Sequence, residues 1–469
     1  MEQILDALVI DDEPQLRTFV GSVLRDEGWT VSEAESAEQA FAMLPEREWS
    51  VVFCDVMLGG ADGYSVLRRF KEELSETKVV LMTGHGSAAG ALDATAFGAY
   101  DYLLKPFGVD ALQSLSQALR DQLISRPAHR LVARRGGAAY KSDIDLVGRS
   151  AAFIEVMKQV GRVAATNLPV LLTGESGTGK ELVASALHRR SLRADKPFVA
   201  FNCGAIPGEL IESELFGHVK GSFTGAERDR RGLWEEADGG TVFLDEITGT
   251  TPTFQVKLLR ALQEGEIRRV GSNQTLRVDV RVLAASNSDV EQEVEAGRFR
   301  KDLFYRLNAV SIVLPPLRER REDILPLAKS FADRVYSLSP AVRFSSEALE
   351  LLEQYSWPGN IRELENAVVR AAAMCEGMIR VQDLPERVRD FESEKAAEIQ
   401  TNERPAAEEE WPSLSEVEGC YVGRVLGHTG GNKQAAARLL EVDRKTLDRM
   451  IKRHNIDSSR LARFPTRAA

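Results

Sequence analysis

The stretch Gly174-Glu175-Ser176-Gly177-Thr178-Gly179-Lys180 constrains this chain more than any other. It follows an apolar run, Val170-Leu171-Leu172, that reads as a buried strand. It precedes Leu182-Val183-Ala184-Ser185-Ala186-Leu187, which reads as a helix. Strand, glycine-rich loop, lysine and helix together form the setting of a phosphate-binding loop. The glycines let backbone N–H groups turn inward around phosphate oxygens. The helix N-terminus adds partial positive charge, and Lys180 is placed to reach the terminal phosphates. Loops of this kind usually carry Ser or Thr after the lysine to hold Mg²⁺. Here that position is Glu181, so a different group must help hold the metal. A glycine-rich turn that binds nothing is the competing reading, and the flanking strand and helix disfavour it.

At 469 residues the chain exceeds a single core, and about three domains are expected. A hydrophobic fraction of 43% with 28% charge is ordinary for soluble globular protein, which excludes disordered and membrane classes. No apolar run reaches the roughly 18 residues of a membrane span, and Glu2 and Asp6 stand where a signal peptide would be basic. Cys54, Cys203, Cys375 and Cys420 are scattered and form no CxxC pair, which fits a reducing cytoplasm. A net charge of −11 argues against nucleic acid for the chain as a whole. Its distribution reverses that: from Ser413 onward there are eleven Lys/Arg against six Asp/Glu.

In the first 123 residues, apolar runs alternate with helical spacing. Ala7–Ile10, Val51–Cys54, Val79–Met82 and Tyr102–Leu104 read as strands of a parallel α/β sheet, whose sites lie at the carboxyl ends of strands. The polar residues fall there: Asp11 and Asp12, Asp55, Thr83 and Lys105. Three carboxylates with a hydroxyl and an amine make an oxygen-rich Mg²⁺ site. A carboxylate beside that metal can attack a phosphoryl group. The region resembles the receiver domain of bacterial response regulators, with its flavodoxin-like fold. The resemblance implies Asp55 as phosphoacceptor, Asp11 and Asp12 as the acidic pair at the metal, Thr83 and Lys105 on the phosphoryl oxygens, and Tyr102 as the aromatic that moves on activation. Leu58-Gly59-Gly60 departs from receivers, which usually have Pro after the phosphoacceptor loop, and should make that loop more mobile. Residues 124–142 are basic and rich in small residues, and read as a linker.

Residues 143–385 hold the phosphate loop and more. Pro197–Phe201 is a strand ending at Asn202, and Gly239–Leu244 is an apolar strand ending in Asp245-Glu246, a Walker B pattern. Asp245 can hold Mg²⁺ and Glu246 can polarise a water against the γ-phosphate. Val280–Ala285 leads to Ser286-Asn287, placed to sense that phosphate. Arg300 and Arg306 lie six residues apart, and Arg362 opens a helix after Trp357-Pro358-Gly359-Asn360. These blocks resemble the AAA+ domain of sigma-54-dependent activators, the NtrC class of enhancer-binding proteins, across the whole segment. Glu181 is what that class carries after the lysine. The resemblance implies Asn202 as the partner of Glu246 in a switch, Arg300 and Arg306 as arginine fingers, Asn287 in sensor I and Arg362 as sensor II in a helical lid. Gly221-Ser222-Phe223-Thr224-Gly225-Ala226 resembles the GAFTGA loop that contacts sigma-54, with Ser222 for the usual Ala. That change is expected to be tolerated. An exposed Phe between glycines is costly unless it touches a partner.

Residues 386–412 read as a flexible acidic linker, with seven acidic against two basic residues from Glu392 to Glu410. Residues 413–458 carry helical spacing from Leu414 to Leu426, a turn at Gly430-Gly431-Asn432, a helix Gln434–Leu440 and a second helix Arg444–Arg453. Leu447, Met450 and Ile451 face inward, while Lys445, Arg449 and Lys452 share another face. This is a helix-turn-helix with a basic recognition helix, in which Arg444, Thr446 and Arg453 join those three as candidate DNA contacts. It resembles the all-α Fis-type module that ends NtrC-class regulators. Glu441 stands where that family usually has Gly, so either it is strained at φ > 0 or the turn differs. A basic tail, 459–469, follows.

The resemblances together imply an NtrC-family response regulator. A sensor histidine kinase would phosphorylate Asp55. Enhancer-bound subunits, a dimer when inactive and a hexamer-type ring when active, would hydrolyse ATP with Mg²⁺ to drive sigma-54 RNA polymerase into an open promoter. Two other classes remain: a AAA+ remodelling ATPase unconnected with transcription, and a DNA-binding protein whose nucleotide pocket is only structural. The 221–226 loop and the terminal module argue against the first, and ATP turnover separates the second.

Overall fold

The computed structural model describes residues 5–60, 62–124, 146–206, 208–223, 226–335, 342–375, 377–391 and 414–454. Except for Ile124 and 386–391, the two expected linkers lie outside the described residues, as does the basic tail. The chain forms two compact units, Met1–Asp390 and Phe391–Ala469.

The first unit begins with five strands, β1 (Asp6–Ile10), β2 (Thr30–Ala34), β3 (Val51–Asp55), β4 (Lys78–Thr83) and β5 (Asp101–Leu104). Helices α1 (Pro14–Asp26), α2 (Ala37–Met43), α3 (Gly63–Glu73), α4 (Ala88–Ala96) and α5 (Val109–Ile124) alternate with them. The sheet is parallel, in the order β2-β1-β3-β4-β5. Helices cover both faces of such a sheet, so its central strands read as continuous apolar runs. Accordingly β3 is buried along its whole length. The strand order reverses between β1 and β3, and open α/β sheets bind ligands at such a point. The register Ile10↔Cys54 and Asp55↔Met82 brings Asp11, Asp55 and Thr83 to one edge.

A second sheet follows helix α6 (Ala151–Ala164). Its elements run β6 (Val170–Thr173), α7 (Lys180–Arg189), β7 (Phe198–Asn202), α8 (Gly208–Phe216), α9 (Leu233–Glu236), β8 (Thr241–Asp245) and α10 (Pro252–Glu264). A small antiparallel pair, β9 (Glu266–Arg268) and β10 (Thr275–Arg277), precedes β11 (Arg281–Ser286), α11 (Val290–Glu295), α12 (Lys301–Leu307) and β12 (Val310–Val313). The parallel order is β12-β6-β11-β8-β7. Thr173↔Ser286 and Asn202↔Asp245 are paired, so the glycine-rich loop, Asn287, the two carboxylates and Asn202 share one edge. The edge strand β12 has no counterpart in the sequence reading, because four residues with only Ile312 buried carry too little pattern.

The lid consists of α13 (Ile324–Val335), α14 (Ser346–Gln354), α15 (Asn360–Met374) and α16 (Glu386–Arg389). Val388 of α16 is buried, so lid packing runs past the expected boundary at 385. The two α/β regions share one core. Helix α4 lies on α6, where small side chains allow close approach: a Cβ on Gly161 would meet Thr95 Oγ1 at 1.9 Å and the Leu92 carbonyl at 2.7 Å. Lys158–Asp101 (2.7 Å) and Arg190–Asp93 (2.6 Å) pair across the contact.

In the second unit, α17 (Leu414–His428), α18 (Lys433–Leu439) and α19 (Arg444–Arg453) enclose a small core that includes Val422, Leu426, Ala436, Leu447 and Ile451.

Candidate functional sites

At the carboxyl edge of the first sheet, Asp11 and Asp55 are buried and Asp12 is exposed, with one oxygen from each within 4.8 Å of the others. Lys105 Nζ lies 2.8 Å from Asp11 Oδ2 and 2.7 Å from Asp55 Oδ2. Burial raises the pKa of Asp11 against the opposing hydrogen bonds and charge of Lys105. Burial alone would lower Lys105, but the two carboxylates carry it net upward. Converging oxygens, one of them on a carboxylate whose charge burial disfavours, suit a hard divalent cation. Thr83 is buried beside them, its Oγ1 accepting the His85 N–H at 3.1 Å. Tyr102 is turned inward: it is 2% exposed, burial raises its pKa, and a Cβ on Gly90 of α4 would come within 2.8 Å of its hydroxyl.

In the second sheet the loop leaves β6 with Gly174, Gly177 and Gly179 all at positive φ. Gly177 has a specific need for glycine, since a Cβ there would meet the Gly359 carbonyl at 2.3 Å. Lys180 Nζ donates to the Gly174 and Glu175 carbonyls at 2.7 and 3.0 Å. Burial lowers its pKa, opposed by Asp245 and Glu246. Asn202 Nδ2 faces Asp245 Oδ2 at 3.4 Å, so the amide engages the first of the paired carboxylates and not Glu246. Its Oδ1 accepts from the Gly204 and Ala205 N–H groups. Glu246 sits at φ +53, a conformation costing roughly 1–3 kcal/mol that concentrates at functional sites. Its carboxylate overhangs Gly204, where a Cβ would meet Oε2 at 2.1 Å. Asn287 lines a cavity of about 340 Å³ with Thr173, Gly174 and Glu175. Glu181 is exposed on the first turn of α7. From the lid, Arg362 Nη1 donates to Ser176 Oγ at 3.0 Å. Arg300 makes a two-pronged pair with Asp302, and Arg306 donates to the Leu262 carbonyl at 3.1 Å. Both guanidinium groups lie on exposed residues.

Thr224 and Gly225 lie outside the described residues; the rest of the 221–226 loop is described. Gly221 N–H donates to the Ala226 carbonyl, and Ala226 N–H to the Phe223 carbonyl, which closes the turn. Phe223 is 37% exposed, with its edge against the His218 ring at 5.0 Å. Ser222 Oγ is buried with no partner among the described residues.

On α19, Arg444, Lys445, Arg449, Lys452 and Arg453 are exposed while Leu447 and Ile451 are buried. Thr446 is occupied at the helix start, its Oγ1 donating to Asp443 Oδ2 at 2.6 Å and its N–H to Oδ1. Glu441 adopts φ +53, so the turn keeps its left-handed residue without glycine.

Residues 146–313 match the Sigma-54 interaction domain family, 7–117 the response regulator receiver domain, 318–401 the AAA+ ATPase lid domain, and 413–454 the Fis family of bacterial regulatory proteins. The transcriptional regulatory protein ZraR of Klebsiella oxytoca is 45% identical over 451 residues, covering 95% of this chain and 98% of that protein. This chain belongs to the NtrC family of sigma-54-dependent response regulators. The DNA-binding transcriptional regulator NtrC of Escherichia coli (strain K12) is 39% identical over 95% of this chain and 97% of its own length. The crystal structure of NtrX from Brucella abortus in complex with ATP aligns with a TM-score of 0.50 at 31% identity, over 97% of this chain and all of that one. Among the described residues no helix is long and apolar enough to cross a membrane.

In this NtrC-family chain, residues that motif reading passed over also stand beside the glycine-rich loop. A second cavity of about 310 Å³ lies beyond the glycine-rich loop, lined by Val147, Phe153, Gly179, Leu182 and Arg320 among others. Arg320 is 1% exposed, stacks 4.7 Å over Phe153 and donates to the Thr178 carbonyl at 2.8 Å. The only sequence signal for it is a basic run, Arg318-Glu319-Arg320-Arg321, which looks like solvated surface.

Proposed function

We propose that this NtrC-family regulator accepts a phosphoryl group on Asp55 and spends ATP to remodel sigma-54 RNA polymerase at promoters. Its basic C-terminal helix would hold it on enhancer DNA, which raises the local concentration of ATPase and target. The observation that carries the reading is one arrangement. The glycine-rich loop, Asn202, Asp245-Glu246 and Asn287 stand together at one sheet edge, and a loop outside that set presents Phe223 to solvent.

In the receiver, a phosphohistidine of a sensor kinase is the donor: its P–N bond breaks as a P–O bond forms to an Asp55 carboxylate oxygen. Lys105 and Thr83 hold the phosphoryl oxygens. Mg²⁺, bound through Asp11, Asp12 and Asp55, would offset the charge gathered there. In the ATPase, Lys180 leaves the loop carbonyls for the β- and γ-phosphates and Glu246 takes the proton of the attacking water, while Asp245 would hold Mg²⁺, which would offset charge on the phosphates. Arg300, at the N-cap of α12, and Arg306, within it, are both exposed and serve the site of a neighbouring subunit in a ring of hexamer type, which a resting dimer does not complete. Tyr102, packed beneath Gly90 of α4, gives Asp55 a short route to α6 and the ATPase. The protein works in the cytoplasm.

The test is a pair of assays on one preparation, ATP turnover and open-complex formation with sigma-54 polymerase. Phe223→Ala and Thr224→Ala should retain turnover and lose open complexes. If both variants open promoters at wild-type rates, the loop is a bystander and the transcriptional reading falls.

A further inference from the structure

A nucleotide loop binds anions with its N–H groups, so its carbonyls must be aimed away from the ligand. Here three successive carbonyls are held by donors from beyond the loop. Ser176 O accepts from Asn360 Nδ2 at 3.1 Å, Gly177 O from the Ile361 N–H at 2.9 Å, and Thr178 O from Arg320 Nη2 at 2.8 Å. We propose that Asn360 is a positioning residue of the ATPase, clasping the loop to the lid so that its N–H groups are set for phosphate before ATP arrives. The inference rests on the reading of 174–180 as the ATP site.

Asn360 uses its amide fully. Oδ1 accepts the Leu317 N–H at 2.7 Å, and Nδ2 donates to Glu175 Oε2 at 3.0 Å as well as to Ser176 O. It is completely buried and left-handed, at φ +54. Asn tolerates that conformation better than other non-glycine residues, and such strain persists only where the surroundings over-determine it. Glu175 also receives both Nη groups of Arg318, at 2.9 and 2.6 Å. That ion pair is 43% and 41% exposed, and pairs of that kind contribute little. The buried amide is therefore the stronger member of the clasp.

The test uses the full chain and titrates a fluorescent ATP analogue alongside steady-state ATPase kinetics. Asn360→Gly keeps the left-handed backbone and deletes the amide. Asn360→Asp keeps the acceptor for Leu317 but removes both donors and sets a carboxylate against Glu175. The expectation is a loss of nucleotide affinity of about ten-fold for Gly, the worth of one well-made hydrogen bond, and a larger one for Asp. KM should rise far more than kcat falls. A merely structural role would lower the melting temperature of both variants and leave affinity at the assay temperature untouched, which would overturn the proposal. Should neither variant fold, Glu175→Ala decides, because it removes the oxygen that Asn360 Nδ2 holds at 3.0 Å while its half-exposed side chain can change without disturbing the core: weakened ATP binding supports the clasp, and wild-type binding refutes it. If the wild-type chain itself binds no ATP, the reading of the site fails instead.

Discussion

The receiver pocket and the ATPase site both stand at the carboxyl edge of a parallel sheet, yet they differ in completeness. In the receiver, Lys105 already bridges Asp11 and Asp55 at 2.8 and 2.7 Å, and every candidate residue comes from one domain. In the ATPase, Lys180 rests on its own loop, Arg300 on Asp302 and Arg306 on a backbone carbonyl. The acceptor site needs only a donor and a metal. On the function proposed above, the ATPase site would need a nucleotide to draw the lysine off the loop, and a second chain for which the arginines would exchange weak, exposed partners. Under that proposal, phosphorylation would be local while hydrolysis would wait on assembly.

The comparison can be broken first at the receiver, where the expected effect is all-or-none. Acetyl phosphate with Mg²⁺ should label the chain at any dilution, and Asp55→Asn should remove the label entirely. Labelling that survives the substitution, or that needs high protein concentration, would contradict a self-contained site.

The next effect is large but conditional. Arg300→Ala should lower turnover by about 10³-fold or more, the range seen where arginine fingers serve a neighbouring site. Mixing it with Lys180→Ala should recover part of the activity, because one variant offers a pocket and the other a finger. Mixed assemblies that form and remain inactive would place Arg300 in its own subunit's chemistry.

The smallest effect concerns the seam between the two regions. Gly161→Val forces a side chain into Thr95 and the Leu92 carbonyl. Overpacking of that kind costs about 1–3 kcal/mol, enough to part α4 from α6 without unfolding either sheet. Hydrogen exchange along Ala88–Ala96 should quicken while that along β3 stays slow. Unchanged protection of α4 would mean that the contact is not a coupling surface.

Much of both sites was legible beforehand. Runs such as Val51–Cys54 and Val242–Leu244 mark buried parallel strands, and polar residues just past such runs must lie at the edge where ligands bind. The basic face of α19 followed from helical spacing alone. What stayed hidden is what depends on neighbours remote in sequence. Asn360 and Glu175 meet across 185 positions, and no periodicity links them. Asn202 found Asp245 where the family resemblance implied Glu246, since side-chain choice between adjacent carboxylates is a matter of ångströms. The Ser222 hydroxyl looks innocuous in a string of letters and is buried beside Gly271 with no partner among the described residues.

By itself, then, the sequence determined which residues bear charge, where strands end and where glycine must be. Those are local properties, decided by hydrophobic runs and backbone sterics. The tertiary structure alone decided that α4 would rest on α6, that the lid would grip the loop's carbonyls, and that Arg300 and Arg306 would be left exposed. Each of these depends on burial and hydrogen-bond direction, which exist only once distant segments have packed and every buried polar group has had to find a partner.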